Sequence, residues 1–166
     1  MSEGNLDSAT AKRALFEAAS AVFGEMAFMD ANPIETEHKM EMDTIRVAID
    51  MLKPLSYRLE LEYSSSLAVK IADTLYGEAE VALDEDENMP SALADRSRDD
   101  SSLEMLNVMA GTFLSSCFGA GTPFKLELPF FQFGEADVSG PVIARVDLDV
   151  EGLPASLILR SIRYRY

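Results

Sequence analysis

The run Tyr57-Arg58-Leu59-Glu60-Leu61-Glu62-Tyr63 constrains the fold most, because its seven residues alternate without a fault between apolar and charged. Successive side chains of an extended strand project to opposite faces, so this pattern describes a strand with one apolar and one polar face. Such a strand is stable only beside other strands and under a layer that covers its apolar face. Thr44 to Met51 supplies a neighbour, with Ile45, Val47, Ile49 and Met51 alternating against Arg46, Ala48 and Asp50. Lys53-Pro54 between the two runs reads as the turn of an antiparallel hairpin of half-buried strands.

Helices are the candidates for the covering layer. Leu15, Ala19, Val22, Phe23 and Met26 recur at one-face helical spacing behind a cap at Asp7 or Ser8, which predicts a first helix ending near Ala31-Asn32-Pro33 after a flexible stretch 1–8. A second helix, capped by Ser64 or Ser65, carries Leu67, Ala68, Ile71, Ala72 and Leu75 and is expected to stop at Gly77. Residues 78–99 include Asp84-Glu85-Asp86-Glu87-Asn88 and Pro90 and read as an acidic, mobile connection. A third helix is expected from about Ser101 to Phe118, ended by Gly119-Ala120-Gly121, with strands following near 124–131, 142–150 and 156–165. The whole chain, 1–166, then reads as one α+β domain: helices packed on a mostly antiparallel sheet, in two halves that each run from helix to strands.

Charge narrows the function classes. Fourteen basic against 29 acidic side chains leave a net charge of −15, which repels nucleic acid and anionic membranes. The stretch between Glu104 and Lys125 has no charged residue, yet it holds Asn107, Thr112, serines, three glycines and Pro123, and reads as a buried helix followed by a strand rather than a membrane span. The start of the sequence lacks the basic and apolar regions of a signal peptide, and Cys117 is the one cysteine, so the expected location is a reducing cytoplasm.

Most of the familiar chemical signals are weak here. His38, the one histidine, stands between Glu37 and Lys39 and reads as a surface residue, and Cys117 lies on the apolar side of its helix and reads as core packing. Asp84, Asp86 and Asn88 have calcium-loop spacing, but Met89 occupies the glycine position and Asp95 the position of the bidentate glutamate. Gly119 and Gly121 neither follow a strand nor open a helix with a lysine, so no phosphate loop is expected, and no metal site either.

The third helix is more informative. Leu103, Leu106, Met109, Ala110, Phe113, Leu114 and Cys117 form its core side, while Glu104, Asn107, Gly111 and Ser115 fall at i, i+3, i+7 and i+11 and make one polar, low-relief stripe. Asn is a poor helix-interior residue, and glycine costs about 1 kcal/mol relative to alanine, so two such residues on one face ask for a reason. A purely structural account is also available at this point. Ser101-x-x-Glu104 has the form of a capping box, Asn107 is then merely solvated, and Gly111 admits a neighbouring helix.

Asp100-Ser-Ser-Leu-Glu104-Met-Leu-Asn107-Val-Met-Ala-Gly111, followed by Pro129-Phe-Phe-Gln-Phe-Gly134, resembles the signature of the CheX/CheC family of chemotaxis phosphatases. That signature has an acidic residue or serine, three residues, glutamate, two residues, asparagine, and a proline some twenty residues on. Ser64 to Gly77 resembles the family's preceding helix, and the likeness runs from about Ala11 to the end. The resemblance implies hydrolysis of the phospho-aspartate of a CheY-like receiver domain. Asn107 would orient the attacking water, Glu104 would pair with the receiver's lysine, and Asp100, Gly111 and Ser115 along the same face would contact the partner. Magnesium would come from the receiver, so no cofactor of the chain's own is implied. The family varies between one motif and two. Glu17-Ala18-Ala19-Ser20 in the first helix has serine in place of asparagine, which implies a single, CheX-like site and leaves Glu17 an ordinary solvated residue. A homodimer joined through sheet edges is also implied. The alternative is a non-catalytic adaptor or decoy that docks receivers or other chemotaxis components through the same helix.

Overall fold

The computed structural model describes residues 6–36, 43–81, 91–133 and 139–162. His38 and the calcium-spaced residues 84–88 lie outside them. The first helix, α1 (Ser8–Ala27), is capped by Asp7, whose carboxylate accepts hydrogen bonds from the Thr10 amide at 2.9 Å and the Thr10 hydroxyl at 2.6 Å. It ends sooner than its sequence suggested. Phe28 adopts a left-handed conformation (φ 53°), and the Met29 amide closes back onto the Phe23 carbonyl at 3.0 Å, capping the helix C-terminus. Residues expected to finish the helix instead form a short strand, β1 (Ala31–Ile34), which tolerates Pro33 because it lies at the sheet edge.

The hairpin stands as its alternation required. β2 (Thr44–Lys53) and β3 (Tyr57–Ser64) pair antiparallel, Val47 opposite Leu61 and Ile49 opposite Leu59, across a turn with a cis Lys53–Pro54 bond. Next comes α2 (Ser65–Val81), which runs through Gly77 rather than stopping there; glycine inside a helix costs only about 1 kcal/mol, too little to end it by itself. The third helix, α3 (Ser91–Phe118), begins ten residues before the expected start. Residues 78–81 and 91–99 of the expected mobile connection are therefore helical, and 82–90 lie outside the described residues. Ser101-x-x-Glu104 sits well inside α3, so it caps nothing.

The strand expected over 124–131 is two short pieces, β4 (Lys125–Leu126) and β5 (Phe130–Phe131), both paired with β2 and separated around Pro129. Proline donates no ladder hydrogen bond, so the strand breaks where it stands. The long hairpin β6 (Ser139–Val150) and β7 (Leu153–Ile162) turns through Glu151 and Gly152, both at positive φ. The sheet order is β1-β6-β7-β3-β2-β4, with β5 also on β2, and every pairing among the described strands is antiparallel.

All three helices bury their apolar faces in one core on one side of the sheet, where Leu15, Phe23, Leu67, Ile71, Leu106, Met109 and Phe113 meet Val47, Ile49, Leu59, Leu61, Leu148 and Leu157. The polar side of the sheet departs from the half-buried expectation. Arg58, Glu60 and Glu62 of β3 are buried as deeply as their apolar neighbours. Each is matched across strands: Arg58 to Asp50 at 2.6 and 2.9 Å, Glu60 to Arg160 at 2.9 Å, Glu62 to Arg46 at 2.5 Å. Arg58 also lies 5.0 Å from the centre of the Phe130 ring. The arginine heads pair with the carboxylates across strands, although Glu60 Oε1 itself takes no hydrogen bond from the described residues, so alternation of charge here records cross-strand pairing rather than solvent.

Candidate functional site

Because α3 turns 3.6 residues per turn and its core face is fixed by Met105, Leu106, Met109, Ala110, Phe113 and Leu114, the opposite stripe is fixed too. Met105 belongs to that core although the sequence pattern did not single it out. Glu104 and Asn107 are exposed, while Gly111 and Ser115 continue the stripe half-buried. Neither Glu104 nor Asn107 has a hydrogen-bond or ion-pair partner among the described residues. Two of the structural accounts of the stripe fail, the capping box and the helix admitted by Gly111, while a solvated Asn107 agrees with its exposure. No helix end lies at Glu104, and a Cβ added to Gly111 would meet nothing within 4 Å, so no neighbouring helix needs the glycine.

Glu104 and Asn107 line a shallow recess of about 430 Å³ together with Asp100, Leu103, Leu128 and Pro129. Three candidates, Asp100, Glu104 and Asn107, thus meet in one place, whereas Gly111 and Ser115 lie farther along the helix outside the recess. The far wall comes from the break between β4 and β5, where the Glu127 amide donates to the Asp50 carbonyl at 2.9 Å and pins the loop to β2. Leu128 is a residue that sequence reasoning missed. It falls inside the strand expected over 124–131, but the break between Leu126 and Phe130 leaves it 86% exposed beside the recess.

Two carboxylates and one amide define what this recess offers. Asp100 and Glu104 have no cation among the described lining residues, so they suit a cationic group presented from outside. The Asn107 amide carries both donors and an acceptor, and so holds a water or an anionic oxygen without acting as a base. The described residues contain no cluster of metal-ligating side chains. No helix of the described residues is long and apolar enough to cross a membrane.

The other singled-out residues have structural work. Glu17 accepts a hydrogen bond from the Ser116 hydroxyl at 2.9 Å, tying α1 to α3, and so is more than a solvated residue. Cys117 packs partly buried, and burial, aided by the nearby Glu17 carboxylate and opposed by Arg13, pushes its thiol up to about 11. A protonated thiol is a poor nucleophile. Gly119, at φ 88°, ends α3 as expected.

No family model matches the chain, and no curated protein matches it in sequence. Solved structures do match. The chemotaxis protein CheX from Vibrio vulnificus superposes with a TM-score of 0.67 at 14% identity, over 94% of this chain and 99% of that one. CheX in a CheX–CheY–BeF3–Mg complex from Borrelia burgdorferi gives 0.65 at 15% identity, over 96% and 100%. FliY from Thermotoga maritima gives 0.58 at 17% identity, over 93% and 87%. The likeness spans nearly all of the helices and strands described above, so the chain has the α+β fold shared by the CheX and CheC-like chemotaxis proteins.

Proposed function

We propose that the chain is a phosphatase that hydrolyses the phospho-aspartate of a CheY-like receiver domain, with Glu104 and Asn107 as its working residues. The observation that carries this reading is that both stand exposed on α3, facing one recess, with no hydrogen-bond or ion-pair partner among the described residues. The neighbour crystallised with CheY and BeF3–Mg supports the choice of partner.

Phosphoryl transfer asks a protein for position and charge stabilisation more than for covalent chemistry. In this reading Glu104 and Asp100 receive a receiver lysine, which sets the helix in register over the receiver's active site. The Asn107 amide then holds a water in line with the acyl phosphate. The water oxygen attacks phosphorus, the bond from phosphorus to the aspartyl oxygen breaks, and the aspartate leaves as a carboxylate while inorganic phosphate departs. Magnesium, held by the receiver, supplies charge stabilisation; this chain contributes none. A homodimer joined through sheet edges, at β1 or at β4 and β5, belongs to the same proposal.

The test is the decay of a magnesium-loaded, phosphorylated receiver from the source organism. Wild-type protein is expected to accelerate it, and Glu104→Ala and Asn107→Ala to abolish the acceleration, with Asn107→Ala still binding. Decay that the wild type leaves unchanged across that organism's receivers removes the phosphatase reading and favours the adaptor. Acceleration that survives Asn107→Ala keeps the activity and refutes the site.

A further inference from the structure

Leu128 is an exposed aliphatic side chain with no internal use, yet its backbone is not free to withdraw it. The Glu127 amide is bonded to the Asp50 carbonyl at 2.9 Å, Pro129 follows with its fixed φ, and Phe130 and Phe131 pair with Ala48 and Val47 of β2. The side chain is therefore held out on a short, pinned segment, 86% exposed, at the rim of the recess that contains Asp100, Glu104 and Asn107. Val108, one residue beyond Asn107, is also exposed, and Leu103 lines the recess floor. Two carboxylates with no cation among the described lining residues, set beside apolar side chains, are complementary to a partner that presents an ammonium or guanidinium group within an apolar collar.

We propose that Leu128 is the apolar anchor by which the partner receiver grips this face, setting affinity and choice of receiver, while Glu104 and Asn107 act at the reacting group. The proposal rests on the reading of Glu104 and Asn107 as the docking face of a receiver phosphatase. Burial of one leucine against a partner pocket is a hot-spot contact, and its removal weakens binding without disturbing atoms placed by a different element. Because Leu128 stands on the β4–β5 segment and the polar pair stands on α3, the two contributions are separable.

The experiment measures, for wild type, Leu128→Ser, Leu128→Met and Asn107→Ala, both the Kd for the BeF3–magnesium form of a CheY-like receiver from the source organism and the decay of that receiver's phosphorylated form over a range of receiver concentrations. Leu128→Ser is expected to raise Kd and KM about tenfold, or about 1.4 kcal/mol, with kcat within twofold of wild type, and Leu128→Met to restore both. Circular dichroism confirms that each variant is folded. Unchanged Kd in Leu128→Ser, or a loss confined to kcat, overturns the anchor while leaving the phosphatase reading intact. Wild type that binds the receiver without accelerating decay, with Leu128→Ser binding tenfold more weakly, overturns the phosphatase reading and keeps the anchor. Wild type that binds none of that organism's receivers overturns both.

Discussion

Ser116 on α3 donates a 2.9 Å hydrogen bond to Glu17 on α1, so the first helix spends its glutamate on the joint between two helices. Glu17, Ser20 and Gly24 repeat the offsets of Glu104, Asn107 and Gly111, with serine where the second half has asparagine. The two helices therefore carry the same frame with different uses: one carboxylate is engaged inside the chain, the other faces outward.

Glu17→Ala is expected to lower stability by less than about 1 kcal/mol, because the bond is half exposed, and to leave receiver decay unchanged. Urea denaturation and the decay assay read the two effects separately. A loss of turnover without a loss of stability would assign Glu17 to a second site.

Gly111→Ala separates stability from docking in the opposite way. The new methyl group meets nothing within 4 Å, and alanine is the better helix former by about 0.8–1.0 kcal/mol, so the variant is expected to be more stable by roughly that amount. If the glycine serves the close approach of a receiver, turnover falls in the same protein. Denaturant midpoint and decay rate, measured on one preparation, decide it; a stabler variant with full turnover removes Gly111 from the docking face.

The charged face of the sheet makes a stability prediction. Glu60 is 1% exposed and takes its hydrogen bond from Arg160, so Arg160→Met leaves a buried carboxylate without its guanidinium and is expected to cost about 3 kcal/mol. The double variant Glu60→Leu, Arg160→Met is expected to recover most of the loss, because burial then involves no charge. Chemical denaturation of the four members of the cycle gives the coupling energy directly.

Cys117 supplies the pH prediction. Its thiol ionises near 11 rather than at the ordinary 9.0, so at pH 8 the thiolate is about a hundredfold scarcer than in an unperturbed cysteine. Labelling by a thiol-specific reagent is expected to be correspondingly slow at pH 8 and to rise about tenfold for each pH unit up to that ionisation. Burial slows the reagent further. Fast labelling at pH 8 would mean that the α1–α3 joint opens readily.

Local pattern made much of this legible. Alternation over Thr44–Met51 and Tyr57–Tyr63 placed the hairpin, and helical spacing separated Leu106 and Phe113 from Glu104 and Asn107. What stayed hidden depended on distant residues. Nothing near Ala31 shows that Val150 will pair with it and draw it out of the first helix. Nothing near Glu60 shows that Arg160, a hundred residues away, will bury it. Gly77 looked like a stop because glycine commonly ends helices, and the start of α3 was hidden because residues 91–100 are mostly polar and show no helical apolar spacing. Leu128 was missed for a simpler reason: it stood inside one strand expected over 124–131, and the break between Leu126 and Phe130 takes it out of the ladder.

The position of the site midway along α3 makes it a ruler. At 1.5 Å per residue, Glu104 and Ser115 stand about 16 Å apart on one line, so a partner that reads the whole stripe needs a footprint of at least that length. The same geometry makes the stripe sensitive to phase. One residue inserted between Asn107 and Met109 would turn Glu104 and Asn107 by about 100° relative to Gly111 and Ser115, or force the core at Met109 and Phe113 to turn instead. Every side chain of the site would survive such an insertion, and their common direction would be lost.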